Sequence, residues 1–186
     1  MKSSFVKKIA MIASAIIVSA LFIPSAQAAD KGYRYWGYFQ SAPGQNAWTM
    51  AQTGPTVPIA DGDVEGWAFT FSSDKIPDAA APRVAPNFAK ICSGIKTPAA
   101  GKKRIGLVID FGSAFLRPKG ESIPRQITKC VVVDKAALGS DVVYAVTKIR
   151  ASASGFFCGL NGYPAKECGV EIPTPASLLS NQSSKK

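Results

Sequence analysis

The chain has 186 residues and a formal charge of +10, from 22 Lys and Arg against 12 Asp and Glu, with four cysteines and no histidine. Without imidazole there is no His-based general acid or base, no Ser-His-Asp or Cys-His nucleophile and no His metal ligand. A large share of hydrolase and metalloenzyme chemistry is excluded at once.

The first residues read as a targeting signal. Lys2, Lys7 and Lys8 precede an uncharged apolar run over 9–23, and Pro24-Ser25-Ala26-Gln27-Ala28 adds a helix break and an A-x-A site. This predicts a secretory signal peptide over 1–28, cleaved after Ala28. A membrane anchor would need roughly 20 apolar residues and no small-residue site. Loss of three lysines takes the formal charge from +10 to +7 and leaves one globular domain, expected over 29–172, in a secreted or extracytoplasmic setting.

Tyr33-Arg34-Tyr35-Trp36-Gly37-Tyr38-Phe39 is rich in strand-favouring aromatics and predicts a strand covered on both sides. Trp48 follows in a short ambiguous stretch, and residues 54–63 read as loop. Glu65, Trp67, Phe69 and Phe71 alternate with Gly66, Ala68 and Thr70, which predicts a half-buried strand with a Trp and two Phe on its core face. Pro77, Pro82 and Pro86 mark an irregular loop. Asn87 suits the N-cap of a short helix over 88–92, stopped by Gly94.

Residues 103–111 give the clearest strand. Ile105, Leu107, Ile109 and Phe111 share one face, while Gly106 and Val108 leave the other small enough for close helix packing. A β-branched run over 127–133 predicts a further strand. Ser140 is expected to cap a helix reaching about Arg150, with Val142, Ala145, Val146 and Ile149 as its apolar stripe. The polar tail over 173–186 is expected to be disordered. These elements predict an α+β fold with a mixed or antiparallel sheet and one or two helices; α/β is the alternative.

Four exported cysteines imply two disulfides among three possible pairings. Cys158 with Cys168 closes a loop through the turn formers Gly159, Asn161, Gly162 and Pro164, and Cys92 with Cys130 ties a helix end to a strand. The two loops would contribute about 3 and about 4 kcal/mol in the chain-entropy account. Their spacings do not suit zinc, so no metal and no cofactor is expected.

Asp61-Gly62-Asp63-Val64-Glu65-Gly66 is similar to the start of a calcium loop. It departs by a Glu at position five and by Ser72 at position twelve, so an acidic turn feeding a strand is the simpler reading. The same carboxylates, with Asp110 across the fold, are the acidic groups a His-free glycan hydrolase would use. Val108-Ile109-Asp110-Phe111-Gly112-Ser113 resembles the phosphate-binding turn of actin-like ATPases, without a second nucleotide motif. Lys102-Lys103-Arg104 is a basic patch suited to anionic wall polymers. Trp36, Tyr38, Trp48 and Trp67, with Asp61, Asp63 and Glu65, are the candidate ligand-binding residues, weighed against plain core packing of the rings. Nucleic acid is not an expected partner for an exported chain.

Tyr35-Trp36 to Phe39, Trp48 with Ala51-Gln52-Thr53-Gly54-Pro55, Asp61-Gly62-Asp63-Val64-Glu65-Gly66-Trp67, Lys103-Arg104-Ile105 to Gly112, and Asn161-Gly162-Tyr163-Pro164 with Cys168-Gly169 occur in an order that resembles a family of actinobacterial secreted proteins. That family has no assigned catalytic residues, so the resemblance implies none here. Its association with energy-coupling vitamin transporters implies an accessory role at the cell surface, with a membrane transporter or wall polymer as partner. The expected function is that of a non-enzymatic exported binding or accessory protein. The alternatives are a carboxylate-dependent hydrolase of envelope glycans and a structural wall protein held by charge.

Overall fold

The computed structural model describes residues 30–183, so the signal peptide expected over 1–28 lies outside the described residues. The fold is α+β, built on a six-stranded mixed sheet. Strands β1 (Lys31–Ser41) and β3 (Val64–Ser72) form a long antiparallel pair, from Tyr33 opposite Ser72 to Ser41 opposite Val64. The two-residue β2 (Thr49–Met50) and β8 (Val170–Pro173) both pair with the other side of β1. On the far side β3 runs parallel to β4 (Lys102–Asp110), which pairs antiparallel with the edge strand β5 (Ile127–Asp134). A parallel neighbour cannot be reached by a tight turn. The proline-rich 73–101 segment and helix α1 (Phe88–Ile91) provide the crossover.

One sheet face carries the main core. Trp36, Trp67, Phe69, Leu107, Ile109 and Phe111 pack there under helix α2 (Gly139–Tyr144) and the hairpin of β6 (Ile149–Ala151) and β7 (Phe157–Leu160). Burying each such side chain contributes about 1.5–3 kcal/mol. The opposite face is packed tightly as well, so β3 is buried on both sides rather than half-buried as its alternation suggested. The small residues explain this: a Cβ on Gly66 would lie 2.6 Å from the Trp48 ring, and one on Gly106 would lie 3.4 Å from Ile91 of α1. Asn87 caps α1 as expected, its side chain accepting a 2.9 Å bond from the Lys90 N–H. Cys92, at the end of α1, bonds Cys130 on β5, and Cys158 bonds Cys168.

Two segments differ from expectation. The helix anticipated from Ser140 to about Arg150 ends at Tyr144, and its cap comes from Asp141, which accepts the Leu138 N–H at 2.8 Å. Ile149 and Arg150 instead extend in β6. There the Arg150 guanidinium donates to the carbonyls of Cys158, Pro164 and Glu167 at 3.2, 2.9 and 2.5 Å, stapling the disulfide loop. The tail expected to be disordered forms helix α3 (Ala176–Ser183). Leu178 docks it against the core, a tertiary contact that outweighs the polar composition.

Candidate ligand-binding cleft

The β1–β3 register brings the aromatic residues together. Trp36 lies opposite Phe69, Tyr38 opposite Trp67 and Gln40 opposite Glu65, all on the main core face. The Tyr38 and Trp67 rings stack at 4.8 Å and 25°, and Phe157 from β7 continues the stack on Trp67 at 4.9 Å and 22°. Tyr144 of α2 meets Phe157 edge-on at 5.8 Å. Beside the stack opens a cleft of about 410 Å³, walled by Trp36, Tyr38, Trp67 and Phe157 and rimmed by Gly54, Pro55 and the 154–156 turn. That volume falls in the range of about 300–1,000 Å³ typical of small-molecule sites. Tyr144, 55% exposed, carries the stack to the surface, and Phe156, 43% exposed, stands on the rim of the cleft.

Behind the cleft lies a carboxyl group. Glu65 is fully buried; the Tyr38 hydroxyl donates to its Oε2, and the Gln40 amide donates to Oε1 at 3.1 Å. Burial pushes the Glu65 carboxyl up to about 7, against the pull of those two donors. Burial, and the neighbouring Glu65 carboxylate, likewise drive the Tyr38 hydroxyl far above its ordinary value. Lys103 is also buried on this face, where its Nζ donates to the carbonyls of Ile59 at 2.6 Å and Ala137 at 2.8 Å.

The remaining candidates do not join this site. Trp48 lies on the opposite sheet face, with its Nε1 donating to the Val84 carbonyl at 2.9 Å. Asp61 accepts the Arg104 backbone N–H at 2.6 Å and its Nη2 at 3.0 Å, and these bonds lower its carboxyl below the usual value. Asp63 accepts the Ala60 N–H at 2.6 Å. The three acidic side chains of 61–66 thus have separate partners, and no cluster of three potential metal ligands occurs among the described residues. Asp110 faces away from Glu65 across the sheet, held by Arg83 Nε at 2.8 Å and Nη2 at 2.6 Å. In the turn after it the Gly112 N–H donates back to Asp110 Oδ1 at 3.0 Å, and glycine is required there because φ is +81° and a Cβ would lie 2.4 Å from the Phe69 carbonyl oxygen.

Phe157 and the 154–156 rim escaped the sequence reading. Phe156-Phe157 directly before Cys158 was the available signal, but its place beside Trp67 depends on the β6–β7 hairpin folding across the sheet.

Among the described residues no helix is long and apolar enough to cross a membrane. No curated protein and no solved structure matches the chain significantly. A family model does match residues 28–173, most of the sequence, and the chain belongs to the SCO2322-like domain family.

Proposed function

We propose that this domain is a non-enzymatic binding or accessory protein of the cell envelope, and that the cleft beside the Tyr38–Trp67–Phe157 stack receives a small ligand for a membrane partner. The carrying observation is the cleft itself: aromatic walls, about 410 Å³ of space, and exposed Phe156 at its mouth. Two disulfides suit an oxidising compartment, in line with the leader read from the sequence.

The other readings draw less support. Hydrolysis by paired carboxylates needs two such groups facing one bond, about 5–10 Å apart, whereas Glu65 and Asp110 occupy opposite sheet faces and Asp61 is bound to Arg104. Attachment by charge draws on the 102–104 run, of which Lys102 pairs with Asp134, Arg104 pairs with Asp61, and Lys103 is buried.

A thermal-shift screen of the oxidised protein against ring compounds, sugars and anionic polymers tests this reading. A ligand at a hundredfold excess over Kd stabilises by about 2.7 kcal/mol, a rise of roughly 5–10 °C in Tm for a domain of this size. A flat screen across all three classes would overturn it.

A further inference from the structure

We infer that the outer edge of β5 is a docking site for an extended acidic segment of a partner protein, which adds to the sheet as a further strand. The edge is long and regular. Residues 127–134 contain no proline, pair with β4 without a bulge and have no strand on their other side among the described residues. At the opposite edge the sheet presents only β2, two residues long, and β8, four. The register shows which backbone groups of β5 are free. The Gly106 N–H turns to the Asp63 carbonyl at 2.9 Å and the Arg104 N–H to Asp61, both away from β5, while the Lys135 N–H donates inward to the Gly101 carbonyl at 2.7 Å. Cys130 and Val132 lie opposite Gly106 and Arg104, so by alternation Thr128, Cys130 and Val132 direct their N–H and C=O groups outward. No described residue bonds these groups. Thr128 and Val132 are exposed, which leaves the row open to solvent, and the Cys92–Cys130 disulfide pins the middle of the strand. Such a row is a template for an added strand.

Charge identifies the occupant. Lys129 in the strand, and Arg125 and Lys135 just beyond its ends, are exposed, and none of their side chains pairs with a described residue. The carboxylates nearby are engaged: Asp134 holds Lys102 at 2.5 Å, and Asp141 accepts the Leu138 N–H. A lysine on an edge deters a second copy of the same positively charged chain, and it draws a strand that carries carboxylates. Side-chain alternation extends the match. Residues of the added strand on the Lys129 face would be acidic, and those on the other face apolar, to cover Val132, which is 46% exposed. An anionic polymer without a peptide backbone would meet the cations and leave the row of N–H and C=O groups unbonded.

The test titrates the oxidised protein with a blocked peptide of alternating Glu and Val matched in length to β5, its counterpart with Lys for Glu, and the Glu peptide N-methylated throughout. Affinity is read by calorimetry and the site by amide hydrogen exchange. The Glu peptide is expected to bind about tenfold more tightly than the Lys peptide. Its binding should weaken as salt is raised, and it should slow exchange at the Thr128, Cys130 and Val132 amides. Exchange at Lys129, Val131 and Val133, whose N–H groups already bond β4, should stay as it was. N-methylation should abolish binding. Lys129→Glu, at an exposed position, should invert the preference between the two peptides; if that variant fails to fold, the wild-type preference and the exchange map decide. Equal affinity for the Glu and Lys peptides, undiminished binding of the N-methylated peptide, or unchanged exchange at the three amides would overturn the inference. So would slowing of those amides with protein concentration alone, which would make a second copy the occupant.

Discussion

Two carboxylates sit almost equally deep on opposite faces of one sheet: Glu65 is 0% exposed and Asp110 2%. Their chemistry is opposite. Asp110 accepts the Arg83 guanidinium through two nitrogens, and two backbone N–H groups, from Arg83 at 2.9 Å and from Gly112 at 3.0 Å. Burial alone would raise its carboxyl, but these donors hold it below the ordinary aspartate value. Glu65 receives only the neutral Tyr38 and Gln40 donors, and burial wins. Loss of solvent contact alone therefore does not decide whether a buried acid is charged; the charge and number of its donors weigh against burial.

The largest expected effect breaks the Asp110 side. Asp110→Asn keeps the shape but removes the charge that holds Arg83, and should cost about 2–3 kcal/mol at neutral pH, since hydrogen bonds to charged groups are the strong ones. Urea unfolding measures this; a loss under about 0.5 kcal/mol would show that the exposed Arg83 end of the pair is screened by water.

A pH profile sharpens the contrast, because the two groups act with opposite sign. The folded-state value of Glu65, about 7, lies above the ordinary 4.5, so the folded protein binds the extra proton between those limits. Its contribution is complete below about pH 4.5 and is lost as pH rises towards 7. Asp110 contributes above the ordinary 3.8, and that contribution is lost as pH falls through its lower folded value. Stability measured from pH 5 to pH 8 should fall by about 2–3 kcal/mol from Glu65 alone. Glu65→Gln should abolish that slope, being near neutral at pH 5 and more stable than wild type at pH 8. A slope surviving in Glu65→Gln would place the titrating group elsewhere.

The smallest effect comes from Tyr38→Phe, which removes one of the two donors to Glu65. It should cost about 1–2 kcal/mol at pH 8, less at pH 5, and move the midpoint of the pH profile upward. An unchanged midpoint would mean that the Tyr38 hydroxyl does not support the ionised form.

Much of this was legible from local pattern. Aromatic and β-branched runs located β1 and β5 and alternation located β3 and β4, and that alternation also put Glu65 on the same face as Trp67, Phe69 and Phe71; the acidic run Asp61-Gly62-Asp63 grouped Glu65 with two carboxylates that the structure gives separate partners. Trp48 shared only composition with Trp36 and Trp67, and composition carries no information about sheet face. The stop of α2 at Tyr144 was hidden because Val146 and Ile149 fit helical spacing, while the pull of β7 on Ile149 and Arg150 is not local.

By itself the sequence located β1, β3, β4 and β5 and the Asn87 cap and favoured the observed one of three cysteine pairings, because strand propensity, capping chemistry and loop closure act over a few residues or through a countable set of partners. Tertiary structure alone decided that β3 and β4 run parallel, that Phe157 completes the stack on Trp67, and that Asp110 meets Arg83 while Glu65 meets only neutral donors. Those outcomes depend on which distant segments share a sheet face, which side-chain alternation within a single strand does not encode.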